Sequence, residues 1–189
     1  MNALAAATVA MRYGMAPETV ARILASQHTI SPHRMALSTV NREGTSFTLI
    51  DDSFNANPDS MKAGLNGLKA WNSNDGKEPF RVALLGAMLE LGADETALHT
   101  SIGTYADELG IDAIIAVGSA QDQHLDALAQ ALADGARQSQ SASVDCVHDI
   151  DAAEQLVIDL ARNHPDAVVL LKGSHASGLS ALAERWAKN

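Results

Sequence analysis

The sequence "FRVALLGAMLELGADETALHTSIGTYADELGIDAIIAVG" (residues 80–118) holds two apolar runs separated by one amphipathic segment. The runs at 82–86 and 113–117 are continuous rather than alternating, which is typical of strands in a parallel sheet that is covered on both faces. The segment between them predicts a helix with Asp94 as its N-cap. The stretch therefore predicts a strand–helix–strand unit.

The same alternation continues to the end of the chain. Helical patterns at 122–135, 151–163 and 177–188 alternate with short apolar runs at 142–147 and 166–173. Upstream, "MALSTV" and "TSFTLIDD" flank "NREG", which predicts a β-hairpin. Because strand–helix–strand crossovers are right-handed, we expect an α/β fold of the Rossmann-like, doubly wound kind, with a mostly parallel sheet and helices on both faces.

A short helical segment precedes this pattern. "NALAAATVAMRYG" and "APETVARILASQ" predict two helices, and "HTISPHRM" lacks periodicity and predicts a linker. We therefore divide the chain into residues 1–32, a helical pair too small to fold alone, and residues 33–189, a complete α/β domain. A helical pair without a sheet of its own suggests that the sequence begins inside a larger protein.

Composition excludes several classes of partner. The formal net charge is −10, from 23 acidic and 13 basic residues, so nucleic acid and anionic membrane surfaces are unfavourable partners. No apolar run approaches the ~20 residues that cross a bilayer, and no secretory signal begins the chain. Cys146 is the only cysteine and is interpreted as a small buried strand residue. We expect a cytoplasmic protein with no membrane association.

Four predicted strands end in polar or glycine-containing segments: "DDSFNANP", "GAMLELG", "VGSAQ" and "KGSHASG". Ligands of open parallel sheets collect outside the carboxyl ends of the strands, so these segments are candidates for one shared site. Lys172 and the amides of Gly173 and Ser174 could hold an anion at the start of the last helix. The alternative is a solvated lysine followed by a helix cap.

Several kinds of chemistry have no support in the sequence. Neither GxGxxG after the first strand nor GxxxxGK[ST] occurs, so the chain lacks a phosphate cradle of its own. The seven histidines are scattered without ligand spacing, which argues against a metal site. His99 and His124 lie in amphipathic helices and are predicted at the surface. Ser174 lacks a GxSxG context, which argues against hydrolase chemistry.

Three motifs carry a resemblance to a known family. "DDSFNANPDSM" (51–61), "GAMLELG" (86–92) and "KGSHASGL" (172–179) occur in this order, and "NALAA" and "HRM" precede them. Together they resemble the Mur ligases, ATP-dependent enzymes that form amide bonds in the peptidoglycan stem peptide. The chain is most similar to the member that adds D-alanyl-D-alanine to UDP-N-acetylmuramoyl-tripeptide. It departs from the family pattern at Ala87 (an aspartate), His175 (an arginine) and Phe54 (a tyrosine).

The resemblance implies an enzyme of three domains, of which this chain holds the last. Residues 1–32 would be the terminal helices of the central ATPase domain, and residues 33–189 the C-terminal Rossmann-like domain. The implied reaction activates the tripeptide carboxylate with ATP as an acyl phosphate, which the amine of D-alanyl-D-alanine then attacks. The N-terminal and central domains, including the ligands for Mg²⁺, would lie outside this chain. We expect no catalytic or metal-binding residue within it, and no activity from it alone.

The resemblance also implies binding residues. Asn2 would face the adenine of ATP, Arg34 would reach the phosphates, and Asp52 would accept hydrogen bonds from the ribose. Without the resemblance these residues read as a helix cap, a linker arginine and a turn acid. Asp51 would hold the turn.

The side of the site that receives the dipeptide or the transferring phosphate would be lined by five further residues: Asn55, Asn57, Lys172, Gly173 and Ser174. A second reading of the whole chain stays open at this stage. It is a non-enzymatic Rossmann-like module that binds a small ligand or a partner protein through the same strand-edge loops.

Overall fold

The apolar runs of the sequence form the central strands of one six-stranded sheet. The structure is a computed structural model, and it describes residues 2–26, 32–72, 77–138 and 142–188. In chain order its elements are α1 (Asn2–Arg12), α2 (Pro17–Ala25), β1 (Ala36–Arg42), β2 (Thr45–Asp52), α3 (Pro58–Ala70), β3 (Arg81–Gly86), α4 (Glu95–Glu108), β4 (Ala113–Val117), α5 (Gln123–Ala136), β5 (Ser143–Val147), α6 (Ile150–Asn163), β6 (Val168–Lys172) and α7 (Leu179–Trp186). Short 3₁₀ turns at Gly92–Asp94 and His175–Ser177 precede α4 and α7.

The strand order is β1-β2-β6-β3-β4-β5. Every neighbouring pair is parallel except β1 and β2, which are antiparallel. The predicted hairpin joins these two strands through Glu43 and Gly44, which both have positive φ (46° and 80°), as a type I′ turn requires. The parallel sheet and the hairpin confirm the predicted α/β fold.

Helices cover both faces of the sheet. On one face, α3, α4 and α5 pack through a core that contains Met61, Leu65 and Ile102. On the other face, α6 and α7 pack through a second core that contains Val157 and Leu182. Strands β3, β4 and β6 are buried at every position, which explains why their sequences do not alternate.

Side-chain caps fix the starts of three of these helices. Asn57, Asp122 and Asp149 have extended backbones, and their side chains accept hydrogen bonds from the first turns of α3, α5 and α6. Asp94 does occupy the N-cap position of α4, but its side chain makes no capping hydrogen bond. Its ψ of 10° is the reason, because side-chain capping uses the extended region.

The chain forms two compact units, residues 1–32 (the helical unit) and residues 33–189 (the α/β unit). The helical unit consists of α1 and α2, and α2 begins at Pro17 with Glu18 in its first turn. Within it only Ala7 and Val20 are buried among the apolar residues whose side chains are described. Residues 28–31 of the predicted linker lie outside the described residues. None of the helices in the described part of the chain combines the length and apolar character that crossing a bilayer requires.

Candidate functional site

The ends of β2 and β6 meet at the carboxyl edge of the sheet. Asp52 and Lys172 are partners in the parallel register, and Lys172 also lies opposite Leu85 near the end of β3. The three strand ends that carry the motifs 51–61, 86–92 and 172–179 therefore lie side by side. Because these segments are far apart in sequence, only the sheet topology brings them together.

The first acid of the motif closes the turn after β2. The Oδ1 of Asp51 accepts hydrogen bonds from the backbone N–H (3.2 Å) and the hydroxyl (2.6 Å) of Ser53. Its Oδ2 accepts one from Nδ1 of His33 at 2.7 Å. Asp51 is buried, so these bonds replace the water that its carboxylate loses. This geometry agrees with the interpretation of Asp51 as the residue that holds the turn.

The second acid of the motif forms a largely buried ion pair. Nζ of Lys172 lies 2.5 Å from Oδ2 of Asp52 and 3.3 Å from the carbonyl oxygen of Asn55. The Lys172 side chain is only 2% exposed, whereas that of Asp52 is 18% exposed. The stem of Lys172 passes over Gly64 of α3, where an added Cβ would lie 2.8 Å from Cδ of the lysine. Lys172 is thus not the solvated lysine of the alternative reading.

Arg34 lies against the turn that follows Asp52. Its Cζ is 4.2 Å from the centre of the Phe54 ring, within the range of a cation–π contact. The backbone N–H of Phe54 also donates to the carbonyl oxygen of His33 at 3.1 Å. Arg34 itself is exposed, so its guanidinium keeps donors available to a ligand. The side chain of Asn2 lies outside what the structure describes.

The two predicted asparagines have local roles in the turn. Asn57 caps α3: its Oδ1 accepts from the N–H of Ser60 at 2.8 Å, and its own N–H donates to the Ser60 hydroxyl at 3.0 Å. Oδ1 of Asn55 accepts from the N–H of Ala56 at 2.9 Å. Both residues are exposed, so their amide nitrogens can still donate to a ligand.

Gly173 and Ser174 form the matching wall after β6. A Cβ on Gly173 would lie 2.9 Å from the Cα of Gly86, so the close approach of β6 and β3 requires glycine here. The N–H of Ser174 donates to the carbonyl oxygen of Ala87 at 2.8 Å. The hydroxyl of Ser174 is buried and has no hydrogen-bond partner among the described residues. Such an atom is a candidate contact for a ligand.

These walls enclose a cavity of about 600 Å³. Segments 54–57, 89–91 and 174–176 line it, so that it contains the predicted residues Asn55, Asn57 and Ser174. Lys172 and Gly173 lead directly into its wall. Arg34 and Asp52 are not part of its described lining, although Arg34 contacts the lining residue Phe54.

His99 is buried, and its predicted surface position is wrong. The residue is fully shielded from solvent on the apolar face of α4, with Ile102 and Ala106. Its Nε2 accepts from the N–H of Met88 at 2.9 Å, and its Nδ1 lies 2.7 Å from the carbonyl oxygen of Glu95. The spacing 99, 102, 103, 106 indicates one helix face and could have placed the histidine inside. His124, by contrast, is exposed as predicted.

Cys146 and two of the three departures from the family motifs, Ala87 and His175, do not add permanently charged groups to the cavity wall. Cys146 is partly rather than fully buried on β5, and burial raises the pKa of its thiol, which disfavours a thiolate nucleophile. Ala87 is buried against Leu125 and Leu128 of α5. His175 lines the cavity, and its Nδ1 lies 3.0 Å from the hydroxyl of Ser180.

Fold and cavity together define an α/β domain with a candidate ligand site at the carboxyl edge of its sheet. Residues 33–175 match the family described as "Mur ligase, glutamate ligase domain". The chain therefore belongs to the Mur ligase family, as the motifs suggested.

Within this family, the chain is similar to several individual proteins. The chain is 39% identical to the UDP-N-acetylmuramoyl-tripeptide–D-alanyl-D-alanine ligase of Mycobacterium tuberculosis, over 97% of this chain and 36% of that protein. It is 32% identical to the enzyme of that name from Escherichia coli, over 62% of this chain and 24% of that protein. A crystal structure of MurF from Acinetobacter baumannii matches with a TM-score of 0.76 and 26% identity, over 100% of this chain and 37% of that one. The matches thus cover between about a quarter and little more than a third of the length of these relatives.

Proposed function

We propose that this chain is the C-terminal part of an ATP-dependent ligase that adds D-alanyl-D-alanine to UDP-N-acetylmuramoyl-tripeptide in peptidoglycan precursor synthesis. The observation that carries the proposal is that the turn after β2, segment 89–91 and the wall after β6 line one shared cavity. The identity to relatives of that name supports it, because the match extends over nearly the whole chain. The cytoplasmic location expected from the sequence stays a prediction.

The helical unit is proposed to be the end of a central ATPase domain. Its surface supports this, because Leu4, Val9, Tyr13 and Ile23 are between 42% and 89% exposed. So many exposed apolar side chains on two short helices indicate a surface that is normally covered by another part of a protein. The missing central and N-terminal domains are the proposed partner, and the ligands for Mg²⁺ are assigned to them.

The nucleotide side of the site is assigned to Asn2, Arg34 and Asp52. Arg34 suits the phosphates because its guanidinium is exposed and is steadied by the Phe54 ring. Asp52 suits the ribose hydroxyls because Lys172 engages Oδ2, while the side chain remains partly open to solvent. ATP would supply the phosphoryl group that activates the tripeptide carboxylate, and these residues would bind and orient it.

The amine-donor side is assigned to Asn55, Asn57, Lys172, Gly173 and Ser174. The Ser174 hydroxyl, which has no partner among the residues that the structure describes, and the asparagine amides offer hydrogen bonds to a polar dipeptide. Lys172 acts on this side through its hydrogen bonds, because its ammonium is paired with Asp52 and also donates to the carbonyl oxygen of Asn55, which holds the turn after β2 against the end of β6. The reaction would then need this chain to hold the amine next to the activated carboxyl group.

Steady-state kinetics of a full-length protein containing this chain test the assignment. Arg34→Ala should lower kcat/KM for ATP by about 10- to 100-fold, the cost of losing hydrogen bonds to a charged group. Arg162→Ala is the matched control, because Arg162 is an exposed arginine on α6 that pairs with Glu43 and Asp159.

Ser174→Ala should lower kcat/KM for D-alanyl-D-alanine by about 10-fold and leave that for ATP nearly unchanged. Unchanged ATP kinetics in Arg34→Ala would reject the nucleotide side of the site. Absence of the dipeptide-adding reaction in the wild-type enzyme would reject the proposed function as a whole.

A further inference from the structure

One peptide group connects a buried helix residue to the cavity wall. The peptide between Ala87 and Met88 is hydrogen-bonded on both sides. Its N–H donates to Nε2 of His99 at 2.9 Å, and its carbonyl oxygen accepts from the N–H of Ser174 at 2.8 Å. This peptide follows β3 directly and leads into segment 89–91, which lines the cavity. It is therefore held between α4 and the wall after β6.

The contacts of His99 select one neutral tautomer. The carbonyl oxygen of Glu95 can only accept, so Nδ1 carries the hydrogen. The N–H of Met88 can only donate, so Nε2 carries none. Burial lowers the pKa of His99, which favours the neutral ring. The charged groups acting on the ring are Glu95, which opposes this shift, and His124 of α5, which adds to it.

Ser174 receives its orientation from the same peptide. Its N–H has its partner in Ala87, and its hydroxyl is the buried polar group in the cavity wall without a partner among the described residues. If the Ala87–Met88 peptide rotated, the N–H of Ser174 would lose its acceptor and the hydroxyl would move with it. His99 is fully buried and is not among the residues that line the cavity.

We propose that His99 is a positioning residue for the cavity: its unprotonated Nε2 fixes the Ala87–Met88 peptide, and that peptide fixes Ser174. The coupling does not depend on what the cavity binds. Only its consequence for the dipeptide rests on the proposed function.

Two amide substitutions separate the two nitrogens of the ring. His99→Gln puts an amide oxygen near the position of Nε2 and can still accept from Met88. His99→Asn puts its amide near the position of Nδ1, so it can donate to Glu95 but loses the acceptor for Met88. Both variants shrink an aromatic ring to a polar amide, and each therefore controls for the lost packing of the other.

Amide hydrogen exchange of the 189-residue chain, followed by NMR, measures the coupling without any ligand. In His99→Asn, the amides of Met88 and Ser174 should exchange about 10-fold faster relative to those of Leu84 and Val169 in the strands. In His99→Gln these ratios should stay close to wild type. Equal losses in both variants, or an unchanged Ser174, would overturn the proposal. So would a wild-type ring whose ¹⁵N shifts show the hydrogen on Nε2.

Kinetics of the full-length ligase then test the consequence. His99→Asn should raise KM for D-alanyl-D-alanine, leave KM for ATP unchanged, and be rescued by His99→Gln. An unchanged KM for the dipeptide in His99→Asn would overturn the link from His99 to the ligand. Failure of the proposed function is a separate result. The wild-type enzyme would then be inactive, while the expected exchange differences between wild type, His99→Asn and His99→Gln would still be observed.

Discussion

Lys172 and Asp52 face each other at the ends of two adjacent parallel strands, and their side chains form an ion pair of 2.5 Å at the edge of the cavity. The lysine is almost fully buried, whereas the aspartate is in partial contact with solvent. An ammonium in such a place is stable only while its partner is charged and close. The pair thus ties the motif after β2 to the motif after β6.

We expect Asp52→Asn to lower the free energy of unfolding by about 3 kcal/mol, because it leaves the buried ammonium of Lys172 without its counter-charge. Lys172→Met should cost less, since the abandoned Asp52 carboxylate can gain water. The double variant should lose clearly less stability than the sum of the losses in the two single variants. Urea unfolding of the four proteins measures these terms.

Asp145→Asn is the control for this cycle, because Asp145 is an exposed aspartate on β5, and it should change stability by no more than about 0.5 kcal/mol. Additive losses in the double variant would mean that the two side chains do not interact energetically.

Two helical glycines should respond in opposite directions to alanine. Gly103 of α4 approaches α5 so closely that an added Cβ would lie 1.9 Å from the carbonyl oxygen of Leu132. Gly103→Ala should therefore destabilise the chain by about 3 kcal/mol or more. At Gly67 of α3 the nearest atom to an added Cβ is Cε of Met35 at 3.5 Å. Gly67→Ala should stabilise by about 0.5–1 kcal/mol through helix propensity. Thermal unfolding measures the stability of both variants, and the result for Gly103→Ala tests the close contact between α4 and α5.

The stability of the chain should depend on pH through His99. Burial holds the pKa of His99 in the folded protein below its ordinary value of 6.5, so the unfolded chain binds the proton more readily. The stabilisation that comes from a neutral, buried His99 is therefore fully present above pH 6.5 and is lost as the pH falls below that value towards the lowered pKa of the folded protein. Urea midpoints measured on both sides of that pH should fall on the acid side in wild type and less in His99→Gln. An equal fall of the urea midpoint at acid pH in wild type and His99→Gln would mean that groups other than His99 cause the pH dependence.

ATP should bind poorly to the 189-residue chain alone. The proposed nucleotide contacts within it are a few side chains, and the sequence has no glycine-rich phosphate cradle. A ligand that binds weakly stabilises little, so millimolar ATP should leave the thermal midpoint nearly unchanged. Micromolar affinity by calorimetry would contradict this and would mean that the contacts within this chain are enough to hold the nucleotide.

Much of the fold could be predicted because each element has a local signature. The buried runs of β3, β4 and β6 do not alternate, and "NREG" supplies Glu43 and Gly44 for the positive φ angles of the hairpin. Strand order could not be predicted in this way, since nothing local in "DAVVLLKG" says that β6 inserts between β2 and β3. That order is set by which arrangement buries the apolar faces best.

The site was harder to predict than the fold. The turn role of Asp51 follows from the neighbouring Ser53, which is a contact between residues 51 and 53. The partner of Asp52 is Lys172, 120 residues away, and no sequence pattern encodes that pairing. The prediction that His99 lies at the surface is wrong because an amphipathic pattern does not by itself show that a polar residue at an apolar position of the helix is buried.

The insertion of β6 has a consequence for biosynthesis. The ribosome delivers residues 168–172 after every other strand, yet they fill the gap at the middle of the sheet. Until they arrive, β2 and β3 each expose an unsatisfied edge of the kind that leads to aggregation. A nascent chain that stalls before residue 168 would hold a hairpin and a three-stranded fragment whose strand ends are not yet joined, so the cavity can form only after β6 and the segment behind it have been synthesised.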